Sequence, residues 1–206
     1  LEKLKAAGLR VPRAVFISKA DYQKTKRFKN ELGLPLVVKP ANHGSSIGLS
    51  LVESNDEISA AIQLAFNYDQ RVIIEEFVFG RELTVGVLGQ EALPVIEIVP
   101  KGKFFDYEAK YKAGSTEYIV PAVLEKSVFK KVQQAGLAAH KLLGCFGCSR
   151  TDIILSKEGS VYVLEVNTIP GMTATSLLPK AAAIAGLNFN QLCIKLLELA
   201  YAKRKI

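Results

Sequence analysis

The stretch YVLEVNTIPGM, residues 162–172, predicts a β-strand that runs into a loop. Its first residues are aromatic and branched, which favours a strand. Because successive side chains of a strand point to opposite faces of the sheet, Glu165 and Asn167 are expected to share one face with Val161 and Val163. An apolar face that ends in a carboxylate and an amide indicates a core strand that opens into a functional site.

A second predicted strand, Thr151–Leu155, precedes this one, and the segment SKEGS between them predicts a turn. A two-residue loop at Glu158-Gly159, or a four-residue loop centred there, gives an antiparallel register in which Asp152 lies opposite Glu165. Facing like charges destabilise a sheet, so we expect a positive group between the two carboxylates. With the amide oxygen of Asn167, they are hard ligands of the kind that Mg²⁺ takes. The alternative is that both carboxylates are solvated strand ends.

The composition is that of an ordinary soluble globular protein. The chain has 206 residues, of which 49% are hydrophobic and 23% charged, which suits one large domain or two small lobes. No apolar run reaches the ~18–20 residues of a transmembrane helix, so we expect no membrane association. The start, LEKLKAAGLRVP, has neither the pattern of a signal peptide nor an initial Met, so we expect part of a longer protein.

Charge and cysteine content exclude further classes. The net charge of +7 would permit nucleic-acid binding, but the sequence has no RNA- or DNA-binding motif, and a site for small anions explains the charge as well. Cys145, Cys148 and Cys193 do not form a disulfide framework, and with only two histidines a zinc site is not expected. Core packing in a reducing compartment is the better interpretation.

Helix and strand signals are mixed along the first hundred residues, which predicts a small α+β lobe. We expect a basic helix over Asp21–Leu32 and a buried strand over Leu36–Lys39. A second helix, capped by Ser54 or Asn55, is expected to run to about Phe66. Its predicted apolar face consists of Ile58, Ala61, Ile62, Ala65 and Phe66.

A glycine- and serine-rich segment, GSSIG at 44–48, lies between two predicted strands and is therefore not a P-loop. Its backbone N–H groups and the hydroxyls of Ser45 and Ser46 can still fold over phosphates, and Lys39 can place an ammonium group beside them. An ordinary hairpin turn is an equally good interpretation of the segment taken alone.

Two carboxylates, Glu75 and Glu82, flank a predicted turn after a buried strand. One can accept a hydrogen bond from an adenine amino group, and the other can accept from ribose hydroxyls. Their spacing alone favours surface charge instead.

The long segment Gly102–Ala122 is polar, aromatic and weakly periodic. A loop of this length in a compact domain is usually functional or disordered. Its lysines and aromatic residues predict a lid, in which Lys110, followed by Tyr111, can close over a phosphate and exclude water. A solvated basic loop is the alternative.

Three further features suit a reacting carbonyl and a carboxylate. Arg150 precedes Asp152 by two residues, on the same face, where a guanidinium can stabilise developing negative charge. The backbone N–H of Gly171 can approach the same oxygen. Ser176 and Leu177 begin a predicted helix whose N-terminus can bind a carboxylate, although the default role of Ser176 is that of an N-cap.

Five segments in order resemble the D-alanine–D-alanine ligases, members of the ATP-grasp superfamily: VVKPANHGSSIGLS, EEFVFGRELTV, DYEAKY, RTDIIL and LEVNTIPGMTATSLLP. The resemblance covers essentially the whole chain. It implies an α+β ATP-grasp fold with two α+β lobes that hold ATP between antiparallel sheets. The implied lobes are residues 1–82 (central) and 83–206 (C-terminal), with the lid over about 102–122.

The resemblance also implies roles for single residues. ATP phosphates are contacted by Lys39 and Lys110 and covered by the loop with Ser45 and Ser46, and adenosine is held by Glu75, Phe77, Val78 and Glu82. Two Mg²⁺ ions, with Mn²⁺ as an alternative, are held by Asp152, Glu165 and Asn167. Arg150 and the Gly171 N–H form the oxyanion site, Ser176 and Leu177 receive the second substrate's carboxylate, and Tyr111 and Ser45 link the lid to the substrate side. His43 receives no role.

The implied activity is ATP-dependent ligation of two D-alanines through an acyl phosphate, for peptidoglycan precursors in a bacterial cytoplasm, by a homodimer. The chain lacks the family's N-terminal domain, which supplies a glutamate for the first D-alanine. We therefore expect these residues alone to fold and to bind ATP but to catalyse poorly. The alternatives are another ATP-grasp carboxylate ligase, such as a D-alanine–D-lactate ligase, or a nucleotide-binding module without catalysis.

Overall fold

The structure, a computed structural model, describes residues 1–25, 27–44, 46–100 and 116–203. Contacts divide the chain into two compact units. The larger unit contains Leu1–Val11, Phe79–Val99 and the chain from Glu117 onward, and the smaller unit is built around Pro12–Val78. Both units combine helices with antiparallel strands, which confirms the predicted α+β class.

The division differs from the predicted one, residues 1–82 and 83–206, at both ends. The segment Leu1–Val11, which carries helix α1 (Glu2–Ala6), packs with the larger unit because Leu4 is buried in that unit's core. The backbone oxygen of Arg10 also accepts a 2.8 Å hydrogen bond from the N–H of Val163. The larger unit resumes at Phe79, a few residues before the predicted boundary.

Among the described residues, the smaller unit contains one four-stranded antiparallel sheet with two helices. Its elements in chain order are β1 (Ala14–Ser18), α2 (Lys19–Thr25), β2 (Leu36–Pro40), β3 (Ser50–Val52), α3 (Ile58–Phe66) and β4 (Arg71–Glu76). The strands lie in the order β1-β4-β2-β3. Buried residues of α3 pack on β2 and β4, so the apolar face predicted for this helix is confirmed.

Local hydrogen bonds define where the helices of this unit begin and end. The cap predicted at Ser54 is present as a capping box with Glu57, which starts a single 3₁₀ turn before α3. The basic helix predicted over Asp21–Leu32 is too long, because α2 ends at Thr25. Beyond it, the Asn30 side-chain oxygen accepts hydrogen bonds from the N–H groups of Leu32 and Gly33, at 3.0 and 3.2 Å. Such a local side-chain bond competes with helical backbone pairing.

Among its described residues, the larger unit contains a six-stranded sheet and three further helices. Its elements are β5 (Gly80–Leu88), β6 (Glu91–Ala92), β7 (Ile96–Pro100), β8 (Thr116–Ile119), α4 (Lys126–Leu142), β9 (Cys148–Ser156), β10 (Val161–Asn167), α5 (Leu177–Ile184) and α6 (Phe189–Lys203). The strand order is β10-β9-β5-β7-β8, and β6 pairs with β5. One face of the sheet forms the core with α4: a Cβ at Gly136 would lie 2.7 Å from Val85, so the helix approaches β5 closely.

The predicted lid, Gly102–Ala122, is described only from residue 116 onward. Those described residues are strand β8 and a core segment, since β8 pairs with β7 and Ala122 is buried. The end of the predicted lid is therefore part of the sheet. No helix within the described ranges is long and apolar enough to cross a membrane.

Burial of His140 predicts a pH-dependent stability. The ring is buried between α4 and β9, where Nδ1 lies 2.7 Å from the hydroxyl of Ser149, and burial, aided by the charge of Lys141, lowers the pKa of His140. The unfolded chain therefore takes up this proton at a higher pH than the folded chain does. The free energy of unfolding should fall as the pH falls below about 6.5, by up to ~1.4 kcal/mol per pH unit.

Urea unfolding of the His140→Gln variant between pH 7 and pH 5 should show a smaller loss of stability than the parent shows. His43, the other histidine of the chain, is exposed, so His43→Gln is the matched control and should keep the parent's pH dependence. An unchanged pH dependence in His140→Gln would contradict the prediction.

Candidate functional site

The hairpin of β9 and β10 turns through a loop whose length lies between the two predicted ones. Ser156 donates its N–H to the Ser160 oxygen at 2.9 Å, and the N–H of Gly159 returns to the Ser156 oxygen at 3.0 Å. Three residues therefore form the loop, and Gly159 has the positive φ of +74° that glycine adopts without strain. This loop pairs Val161 with Leu155.

A bulge in β10 restores the predicted pairing further along the hairpin. Val163 pairs with Ile153, but the next register pair is Glu165 with Asp152, so Leu164 is the extra residue. The expectation that Asp152 faces Glu165 is confirmed. Its basis was wrong, because a loop of odd length and a one-residue bulge together produce the register that a two-residue loop alone would give.

The bulge also changes which face of the sheet each side chain occupies. Val161 and Val163 are buried in the core cluster, and beyond the bulge Val166 packs on that cluster. Glu165 and Asn167 instead lie on the opposite face, beside Asp152, so the prediction that they share a face with the two valines is wrong. A β-bulge re-aims the side chains that follow it.

Asp152 is the centre of a dense polar cluster on this second face. Arg150 donates from Nε to Oδ1 and from Nη2 to Oδ2, both at 2.8 Å, and Thr84 donates its hydroxyl to Oδ1 at 2.7 Å. The Asn167 side-chain amide donates to Asp152 Oδ2 at 3.2 Å and to Glu165 Oε1 at 3.3 Å. Arg150 thus supplies the positive group expected beside the facing carboxylates, and the neutral amide of Asn167 adds a hydrogen bond to each.

Arg150 remains charged despite its burial. Burial acts to lower the pKa of Arg150, but the hydrogen bond and charge of Asp152, together with the charges of Glu165 and Tyr118, raise it overall. A bidentate guanidinium–carboxylate pair with side chains only 20% and 9% exposed is held firmly in one geometry.

The oxygen donors of this cluster fit a hard divalent cation. Asp152 and Glu165 supply carboxylates, and a half-turn of the Asn167 amide would bring its oxygen to the position that its nitrogen now occupies. Across the part of the chain that the structure describes, no group of three or more His, Cys, Asp and Glu side chains could hold a metal. Two carboxylates and an amide leave room for the water and phosphate ligands that Mg²⁺ prefers.

The start of α5 forms a second polar group. The hydroxyl of Ser176 accepts the N–H of Thr173 at 3.1 Å and lies 2.8 Å from the Thr173 hydroxyl, and it makes no capping bond to α5. Ser176 therefore occupies the predicted N-cap position before Leu177, but its hydroxyl serves the preceding loop instead of the helix. A Cβ at Gly171 would lie 2.8 Å from the Ser176 hydroxyl, so any other residue there would displace that hydroxyl.

A third group lies in the smaller unit, on β2 and β4. The Lys39 ammonium nitrogen lies 2.8 Å from Glu75 Oε2, and Glu75 is buried. The other oxygen of Glu75, Oε1, is buried without a hydrogen-bond partner among the described residues. A buried carboxylate oxygen without a donor is costly, so this atom is suited to accept from a bound ligand.

The remaining predicted residues are distributed as follows. Phe77 and Val78 follow β4, and the Phe77 N–H donates to the Pro35 oxygen at 3.0 Å. Ser46 has a positive φ of 58° in the glycine-rich loop, and Glu82 lies on β5 in the larger unit. Ser45, Lys110 and Tyr111 lie outside the described residues.

Sequence reasoning missed three residues of the larger unit. Thr84 pairs with Asp152 across β5 and β9, which only the strand order reveals. Tyr118 was assigned to the lid but lies on β8, and the Lys180 ammonium lies 4.3 Å from the centre of its ring. Because side chains alternate along β5, Thr84 lies on the same face as Glu82. This signal would have identified Thr84 if the pairing of β5 with β9 had been known.

Comparison with known proteins gives consistent results. The family model described as the C-terminus of D-ala D-ala ligase matches residues 4–198. The D-alanine–D-alanine ligase of Geotalea uraniireducens is 47% identical over 173 residues, which are 84% of this chain and 56% of that protein. The chain spans less than two thirds of the length of the curated relatives that it matches.

Two solved structures have the same fold. The VanG D-Ala:D-Ser ligase of Enterococcus faecalis is 37% identical, with a TM-score of 0.86 over 96% of this chain and 59% of that one. The D-alanine–D-alanine ligase of Bacillus anthracis complexed with ATP is 32% identical, with a TM-score of 0.83 over 99% of this chain and 65% of that one. These likenesses confirm the ATP-grasp fold that the sequence motifs imply, and the chain belongs to the D-alanine–D-alanine ligase family, whose C-terminal part it matches.

Proposed function

We propose that the full-length protein joins two D-alanines into D-alanyl-D-alanine, with ATP as the energy source. The cluster of Arg150, Asp152, Glu165 and Asn167 on the polar face of the larger unit carries this proposal. It concentrates a cation and oxygen ligands at one point, in a chain 47% identical to D-alanine–D-alanine ligases. A nucleotide-binding module without catalysis would not need such a cluster.

Nucleotide binding is assigned to the smaller unit and the start of β5. Lys39 and Lys110 contact the phosphates, and the loop with Ser45 and Ser46 covers them. The unpartnered Oε1 of Glu75 accepts from the adenine amino group, which supports its assignment to the base. Phe77 and Val78 complete the adenosine site, and Glu82 accepts from ribose hydroxyls.

The polar cluster neutralises charge at the reacting phosphate. Asp152, Glu165 and Asn167 would hold Mg²⁺ or Mn²⁺, which supplies positive charge beside the phosphate oxygens. Arg150 is positioned by its two bonds to Asp152 and, with the Gly171 N–H, stabilises negative charge on the reacting carbonyl oxygen.

Two steps follow. The carboxylate of the first D-alanine attacks the γ-phosphorus of ATP, forming an acyl phosphate as the bond to ADP breaks. The amine of the second D-alanine, after losing a proton, attacks the acyl carbon, and inorganic phosphate leaves as the peptide bond forms. Ser176 and Leu177 position the second substrate's carboxylate, while Tyr111 and Ser45 connect the lid to the substrates and exclude water.

The proposed product indicates the cellular compartment. D-Alanyl-D-alanine serves the synthesis of peptidoglycan precursors, so we assign the protein to the bacterial cytoplasm, as a homodimer without nucleic-acid or membrane partners.

Phosphate release by the full-length protein with ATP, Mg²⁺ and a panel of D-amino and D-hydroxy acids tests the proposal. D-Alanine should give the highest rate, with D-alanyl-D-alanine as the product. ATP binding without phosphate release on any member of the panel would favour the non-catalytic module instead.

The acceptor has a second candidate, D-serine, because the VanG D-Ala:D-Ser ligase has a TM-score of 0.86 to this chain. D-Lactate is disfavoured by the EAKY segment that contains Tyr111. Competition among equal concentrations of the three acceptors near pH 7 should give D-alanyl-D-alanine as the main product. A depsipeptide, or a product that ends in D-serine, would contradict this prediction.

A further inference from the structure

Lys180 lies one helical turn after Ser176 on α5. Its N–H donates to the Ser176 oxygen at 3.2 Å, and side chains four residues apart occupy the same face of a helix. Long helical side chains also point back toward the N-terminus, so Lys180 reaches toward the turn that begins at Ser176. The ammonium group stops over the ring of Tyr118, 4.3 Å from its centre.

Tyr118 connects this ammonium group to the polar cluster. The tyrosine is half-buried on β8. Burial raises the pKa of Tyr118, the charge of Arg150 opposes that change, and the charge of Glu82 adds to it. The phenol is therefore neutral near pH 7, and its ring lies within electrostatic range of Arg150 while Lys180 packs on it.

We propose that Tyr118 and Lys180 form a positioning pair for the acceptor amino acid, in which the ring holds the ammonium group where it attracts the acceptor's carboxylate to the start of α5. This inference rests on the proposed function, because it assumes that the carboxylate lies beside Ser176 and Leu177. It assigns to the acceptor site a cation that the sequence motifs do not include.

The physical reason for a pair, rather than a lone lysine, is conformational. A free lysine samples many rotamers, and a cation over an aromatic face is restrained by the attraction of the ring. The positive end of the helix and the ammonium group then act on the same carboxylate. Neither residue contacts the reacting atoms, so the effect falls on binding of the acceptor and not on the chemical step.

Steady-state kinetics of the full-length protein separate the two D-alanine sites, because each contributes its own apparent KM. Lys180→Met should raise the acceptor KM roughly fivefold, the scale of one partly exposed cation–π or helix-end interaction, with kcat and the first-site KM nearly unchanged. Lys180→Arg should restore the parent's value. Lys195→Met, which removes an exposed lysine from α6, is the matched control for net charge and should not change either KM.

Two substitutions of Tyr118 test the pairing. Tyr118→Phe keeps the ring and should resemble the parent, whereas Tyr118→Leu should raise the acceptor KM as Lys180→Met does. The double variant Tyr118→Leu/Lys180→Met should be no worse than either single variant, because both remove one interaction.

Equal changes in both KM values, additive effects in the double variant, or an unchanged acceptor KM in Lys180→Met would overturn the inference. A parent enzyme that makes no dipeptide from any acceptor would contradict the proposed function itself. The activity of the parent therefore distinguishes the two failures.

Discussion

Replacing Glu165 with glutamine in the full-length enzyme should lower Mg²⁺-dependent turnover by roughly 100-fold or more, while the unfolding transition stays where it is. Metal-assisted charge stabilisation supplies several kcal/mol, and each ~1.4 kcal/mol corresponds to a factor of ten in rate. Glu165 is exposed and accepts one hydrogen bond from Asn167, so the neutral amide costs the fold little. The Mg²⁺ concentration that gives half-maximal turnover should also rise.

The control comes from the same hairpin. Glu158 is exposed in the loop, away from the polar cluster, so Glu158→Gln removes the same charge without touching the proposed ligands. Turnover of this variant should match that of the parent. Near-normal turnover of Glu165→Gln at ordinary Mg²⁺ concentrations would remove Glu165 from the metal site.

Replacing Arg150 with methionine should impair stability and activity together. Asp152 would stay buried with the donors from Thr84 and Asn167 but without its bidentate cation. Removing one partner of a buried ion pair costs roughly 3 kcal/mol or more, which corresponds to a loss of about 6–12 °C in Tm for a chain of this size. Turnover should fall at least 100-fold, since loss of a single oxyanion donor has about that effect.

The double variant Arg150→Met/Asp152→Asn separates the two consequences. Neutralising Asp152 removes the uncompensated charge, so the double variant should melt at a higher temperature than Arg150→Met alone. Its activity should not recover, because the proposed metal ligand and the oxyanion donor are both gone. A double variant that is no more stable than Arg150→Met would show that the buried charge is not the source of the instability.

Local signals in the sequence predicted local structure well. The apolar face of α3 and its cap at Ser54 follow from helical periodicity and capping chemistry, which are properties of neighbouring residues. The excess length given to α2 has the same origin, since the side chain of Asn30 favours a turn that composition does not reveal.

Features that depend on distant residues were not predictable. Pairing of Thr84 with Asp152 joins strands almost seventy positions apart, and burial of Leu4 in the larger unit reassigns the first eleven residues. Tyr118 lies near the end of the segment predicted to be a lid, and although its neighbours favour a strand, only the pairing of β8 with β7 places it in the sheet. These contacts arise from tertiary packing, which a periodicity argument does not contain.

The sequence reasoning grouped the candidate metal ligands by their chemistry and predicted their geometry less well. Asp152, Glu165 and Asn167 lie together, but the loop and the bulge that bring them together were not foreseen. The assigned roles of these three residues remain predictions that the variants above examine.

The bulge at Leu164 makes the site tolerant of change at that position. Any side chain that tolerates partial exposure can occupy position 164 and leave the pairing of Glu165 with Asp152 intact. Deleting the residue would remove the bulge and restore strict alternation, in which Glu165 would follow Val163 directly, on the opposite face, and still pair with Asp152. Mutational drift at this position is therefore little constrained: substitutions, and even a one-codon deletion, should leave the two carboxylates paired on the polar face.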